Sequence, residues 1–299
     1  MMKQFLQDVQ IRLQERLGSD YEVRSQLVMK NNNVEKRGLV ILHKEENVSP
    51  TIYMEYYFQE FKNGVAIEEL VTDIITAYRH NAISEKVDIV KFFEHTDTFG
   101  LKLISKSSNG ELLKIVPYQT VVDDYVVIPL LVLQEEKFGN ATITVRHELM
   151  NMIVRYYNFD SVEEFFEIAR ANEEAKGFTV NCMEDVLENL MSGVDLEKEM
   201  YERDVDCNMY VISNRSMIFG AVALCFTELL DEVARKFYSN EMIILPSSVH
   251  ELICIEGTED DMAVLKRIVI DINKELAEED VLSSMVIHYN ANTREFKTL

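Results

Sequence analysis

Apolar residues recur at helical spacing near the start of the chain, at Phe5, Leu6, Val9, Leu13 and Leu17, and Gly18 follows as a stop. This pattern predicts an amphipathic first helix. Residues 21–30 and 37–43 carry strand patterning, and Asn31, Asn32 and Asn33 between them suit a turn, since Asn tolerates positive φ. Residues 50–57 read as further strand, up to a turn at Lys62, Asn63 and Gly64. Ile67, Leu70, Val71, Ile74, Ile75 and Tyr78 then predict a second helix, ending in Arg79 and His80. Strands are expected at 101–105, 121–133 and 141–145, with one helical turn at 111–116 stopped by Pro117.

From His147 to Glu202 the pattern turns helical and acidic. Asp160 and Ser161 with Glu163 and Glu164 resemble a helix start, and Phe165, Phe166, Ile168 and Ala169 supply its apolar face. Met183, Val186, Leu187 and Leu190 give another helix, ended near Gly193. The last part reads as strand 208–212, helix 221–237, strands 242–245 and 251–255, helix 260–276 and strand 285–289. That β-α-β-β-α-β order is the one found in ferredoxin-like split motifs. The expected class is α+β. It comprises an N-terminal mixed sheet with packed helices (1–146), an acidic helical connector (147–206) and a C-terminal two-layer β-α-β-β-α-β sandwich (207–299).

Composition supports folded domains. Of 299 residues 47% are hydrophobic, enough to fill a core, while 10 Gly and 4 Pro leave no room for a flexible linker. The formal charge is −22 and uneven: residues 1–150 carry 17 Lys and Arg against 22 Asp and Glu, residues 151–299 carry 13 against 30. Such a surface repels nucleic-acid phosphates and anionic lipid, so no direct nucleic-acid or membrane binding is expected. Solvated helix faces explain most of the acids. The sharper readings are a docking face for a basic protein partner, in the acidic C-terminal half, or an inhibitor that mimics nucleic acid. The N-terminus turns polar at once, and the longest apolar stretch, 126–133, is far too short to span a membrane, so a cytoplasmic protein is expected.

Candidate chemistry is sparse. No glycine-rich phosphate loop, zinc-protease helix, calcium loop or nucleophile elbow occurs, and no cofactor is expected. Cys182, Cys207, Cys225 and Cys254 form no C-x-x-C pair, so no metal site is expected. Apolar neighbours make Cys207, Cys225 and Cys254 read as reduced core thiols. The candidate catalytic residues are His147, Ser247, Ser248, His250 and Glu251. Within Pro246 to Glu251 two hydroxyls, an imidazole and a carboxylate lie close in sequence, yet a nucleophile needs an oriented base and an oxyanion hole from distant segments. A turn whose serines satisfy backbone groups explains the same residues at lower cost. The preferred function is a non-enzymatic cytoplasmic binding or regulatory protein; the alternative is a hydrolase-like enzyme using His250 and its neighbours.

Pro246-Ser-Ser-Val-His-Glu251, the strand Asn208 to Asn214, Val281-Leu-Ser-Ser284 before His288 and Tyr289, and Tyr53-Met-Glu-Tyr-Tyr57 carry a resemblance over most of the chain. They are similar to an uncharacterised bacterial family of domain-of-unknown-function proteins, common in anaerobic Gram-positive gut bacteria. The resemblance implies a cytoplasmic bacterial protein of unassigned activity and carries over no catalytic residue.

Overall fold

In the computed structural model, which describes residues 1–46, 49–81, 90, 93–133, 141–192, 207–246 and 248–299, α1 (Met2–Leu17) forms on its apolar stripe. β1 (Tyr21–Met29) and β2 (Glu35–His43) pair antiparallel, and Asn32 and Asn33 turn the chain with φ of 60° and 54°. β3 (Thr51–Tyr53) joins the other edge of β2. Its approach requires Gly38, where a Cβ would meet the Thr51 Cγ2 at 2.2 Å. α2 (Glu55–Lys62) and α3 (Ile67–Asn81) follow. Leu70, Val71, Ile74 and Tyr78 close one core with the buried face of α1 and with Val23, Leu39 and Ile41. Glu68 ties α3 to α1 through Arg12 and Arg16, each at 2.7 Å, and the Arg12 hydrogen bond holds its carboxyl below the usual range.

β4 (Phe99–Ser105), β5 (Gln119–Val122) and β6 (Tyr125–Leu133) make a second antiparallel group with β6 between the others. The short β7 (Ala141–Thr144) leads to α4 (His147–Tyr157) and α5 (Glu163–Lys176). Phe165 of α5 stacks on Phe99 of β4 with ring centroids 4.2 Å apart. The rest builds a six-stranded antiparallel sheet from β8 (Phe178–Cys182), β9 (Met209–Asn214), β10 (Glu241–Leu245), β11 (Leu252–Glu256), β12 (Ile287–Asn290) and β13 (Glu295–Thr298). Its order is β13-β12-β10-β11-β9-β8. Three helices accompany it: α6 (Met183–Ser192), α7 (Thr227–Ala234) and α8 (Met262–Ile272).

The α+β class and the β-α-β-β-α-β order stand, with β8 and β13 added at the edges. The two helices of that order lie on opposite faces. Ile243 and Leu245 pack with Met262 and Val269 of α8. Met242, pointing the other way, lies beside Tyr289, whose hydroxyl donates to Asp231 of α7 at 2.6 Å. Handedness explains the arrangement. β9-α7-β10 and β11-α8-β12 advance in the same direction across the sheet from strands of opposite polarity. Right-handed crossovers then place their helices on opposite faces. The sheet is therefore sandwiched between helices instead of forming one of two layers.

Packing divides the chain into Met1–Thr98 with Val132–Ile143, and Phe99–Leu131 with Thr144–Leu299. These limits differ from the expected 1–146, 147–206 and 207–299. β4, β5 and most of β6 belong with the C-terminal sheet, tied to it by the Tyr125 hydroxyl on the Met285 carbonyl at 2.9 Å. Within the expected connector, α4 and α5 pack into the second unit and β8 pairs with β9, while residues 193–206 lie outside the described residues. The strand expected to run to Tyr57 ends at Tyr53, because Met54, Tyr57 and Phe58 recur at helical spacing and their side turns inward. Among the described residues no helix is long and apolar enough to cross a membrane.

Candidate functional site

β9 ends in Ser213 and Asn214, both buried, and the chain then folds tightly back on itself. Asn214 Nδ2 donates to the Ile218 carbonyl at 2.7 Å, while its Oδ1 accepts from the Ile218 N–H and the Ser216 hydroxyl. Met217 and Phe219 are held at φ of 54° and 59°, a sparsely populated region for side chains of that size. Gly220 sits against backbone: a Cβ there would meet Ser213 Oγ at 2.2 Å, the Asn214 nitrogen at 2.5 Å and the His250 carbonyl oxygen at 2.6 Å.

His250 fastens this loop. Its Nδ1 accepts the Phe219 N–H at 3.2 Å, its carbonyl accepts the Ser213 hydroxyl at 2.7 Å, and its ring stacks on Phe219. Nε2 faces Asp280 Oδ1 at 3.4 Å. Since Nδ1 accepts, the neutral imidazole carries its proton on Nε2, directed at Asp280. Both ring nitrogens are thus engaged, Nδ1 by a backbone N–H and Nε2 by a carboxylate.

The other sequence candidates are placed as follows. Ser248 is buried, and its hydroxyl accepts the His250 backbone N–H at 3.0 Å, not an imidazole nitrogen. Ser247 lies outside the described residues. Glu251 is half-buried and, among the described residues, makes no side-chain hydrogen bond to His250. His147 opens α4 with an exposed side chain and a backbone N–H on the Ile115 carbonyl. No ligand-like grouping among the described residues joins it to His250.

A second group was invisible in the sequence. Cys182 ends β8, Cys207 stands two residues before β9, and the two form a disulfide with Cα atoms 6.0 Å apart. This corrects the expectation of a reduced core thiol at Cys207. Pairing of β8 with β9, which sets Cys182 opposite Tyr210, brings together two cysteines 25 residues apart. Glu184 Oε2 lies 2.5 Å from Cys182 Sγ and 3.7 Å from Cys207 Sγ. The Met209 carbonyl oxygen lies 3.0 Å from Cys207 Sγ. Recognising 178–182 as the edge strand beside β9 would have revealed the pair.

Cys225 and Cys254 are free. Burial pushes the Cys225 thiol up to about 12, with Arg170 pulling partway back, and drives Cys254 higher still. A thiolate is the reactive form, so both react slowly. After reduction, native protein is expected to label quickly at Cys182 and Cys207, and at Cys225 and Cys254 only on unfolding. Mass analysis of a timed labelling series reads this, and fast modification of Cys254 would contradict the packing.

The acids singled out by charge are partly spent inside the fold. Asp261 closes a capping box with Thr258, Glu259 pairs with Lys297, and Asp280 faces His250. No curated protein and no solved structure matches the chain. The model of one family of unknown function matches residues 2–291, nearly the whole length, as the motif resemblance implied. The chain thus belongs to that family, DUF5688.

Proposed function

We propose that this is a non-catalytic binding or regulatory protein of the cytoplasm, with α8 as its partner-facing element. The observation that carries the reading is the row Val264, Ile268 and Ile272, spaced by about one helical turn and 61%, 46% and 42% exposed. Three branched apolar side chains along one helix are costly to leave in water, and such patches mark interaction sites. Acids flank the row, with Asp260 before α8 and Glu275 after it. A basic partner segment with an apolar centre matches that surface, in keeping with the net charge of −22.

The hydrolase alternative is disfavoured by the engagement of both His250 nitrogens. His250→Ala is expected to cost about 1.5 kcal/mol through the lost Phe219 acceptor, lowering the melting temperature by a few degrees. Ile268→Glu should leave melting unchanged and abolish capture of the partner from lysate. Turnover of an ester or peptide panel by the wild type, lost in a folded His250→Ala protein, would establish the hydrolase instead. Equal capture by Ile268→Glu would remove α8 as the docking element.

A further inference from the structure

We propose that Cys182, Glu184 and Cys207, with the cysteines reduced, bind one divalent cation of the zinc class. The donor atoms of the three side chains all lie within 4.8 Å of one another. They come from the end of β8, the first turn of α6 and the residues just before β9, so paired strands hold them together despite their sequence separation. Two sulfurs and a carboxylate oxygen form a set that suits zinc, and a water can fill the fourth tetrahedral position.

Glu184 Oε2 stands 2.5 Å from Cys182 Sγ and 3.7 Å from Cys207 Sγ, so the three donors face one small volume. On metal binding both thiols release their protons to solvent, and the cation replaces them between sulfur and oxygen. Two thiolates and one carboxylate then hold a doubly charged ion, leaving a single negative charge on the site. The disulfide engages the same sulfurs, so bridging and metal binding exclude each other and occupancy follows the redox state of the pair.

The test uses the full chain, reduced with a phosphine, freed of metal with a chelator and titrated with cobalt(II) as an optical stand-in for zinc. The expected result is one cobalt per chain with a near-ultraviolet thiolate-to-cobalt band, removed by stoichiometric zinc. Cys182→Ser and Cys207→Ser should each abolish the band, and Cys225→Ser should leave it intact. Glu184→Gln should keep the band and weaken affinity by about tenfold or more. Circular dichroism of the metal-free variants separates lost ligands from lost fold. Protein oxidised to the disulfide with diamide should take up no cobalt. No band in the reduced wild type, a band surviving either cysteine change, or affinity unaltered by Glu184→Gln would each overturn the proposal.

Discussion

Gly220→Ala should destabilise the second unit by about 3 kcal/mol or more, one of the largest single-methyl effects available in this chain. The new Cβ would lie 2.5 Å from the Asn214 nitrogen and 2.6 Å from the His250 carbonyl oxygen. Both are backbone atoms, so no side chain can swing aside to relieve the overlap. Each already belongs to a constrained partnership: Asn214 ends β9 and clasps residues 216–218, while the His250 carbonyl accepts the Ser213 hydroxyl. Relief therefore means parting the loop from the turn that His250 anchors, with loss of the Phe219 hydrogen bond and ring stack. Gly110→Ala is the control. It has helical backbone angles and open space around the added methyl, so it should be neutral or stabilise by up to about 1 kcal/mol. Urea unfolding of the two variants reads the contrast, and equal midpoints would show that the 213–220 loop yields freely.

Local pattern carried much of this fold. α1 and α3 bury the residues their spacing predicts, and the asparagines between β1 and β2 take the backbone angles they favour. The elements from β9 to β12 also follow in the expected order. What local pattern cannot carry is pairing. β8 shows no alternation, since all five of its residues are half-buried, and its place beside β9 rests on pairing with residues 28 to 36 positions away in sequence. The Cys182–Cys207 bridge was hidden for that reason. Strand order was likewise out of reach: the same β-α-β-β-α-β string fits helices on one face or on two, and which strand neighbours β12 decides between them. His250 stood out for its chemistry, but its engagement depends on Phe219, a residue without titratable chemistry that contributes a backbone N–H and a stacked ring.

Asp231→Ala should cost about 3 kcal/mol at neutral pH, and the loss should shrink as the solution is acidified. Asp231 is 2% exposed on α7. Its Oδ1 accepts the Tyr289 hydroxyl at 2.6 Å, and its Oδ2 accepts Arg294 Nε and Nη2 at 3.0 and 2.7 Å. One carboxylate thus fixes α7 to β12 and to the turn before β13, where Arg294 is held at φ of 58°. Alanine leaves a buried tyrosine hydroxyl without its acceptor, which costs more than the net worth of the bond. Tyr289→Phe removes donor and demand together and should cost only about 1 kcal/mol. The double variant should then lose less than the sum of the two. Burial alone would raise the Asp231 carboxyl, but the Tyr289 hydroxyl and the Arg294 guanidinium outweigh it and hold the group below its ordinary value. A carboxyl lowered in the folded chain contributes stability above its unfolded value of about 3.9, and that contribution is lost as pH falls through the folded value. The wild type should therefore lose stability on acidification through a group that Asp231→Ala lacks, and the gap between them should narrow from pH 7 to pH 3. Urea unfolding of both proteins at the two pH values measures that gap. A constant gap would mean that Asp231 acts by shape alone, and a gap below about 0.5 kcal/mol at pH 7 would remove it as the clasp between α7 and the β12–β13 hairpin.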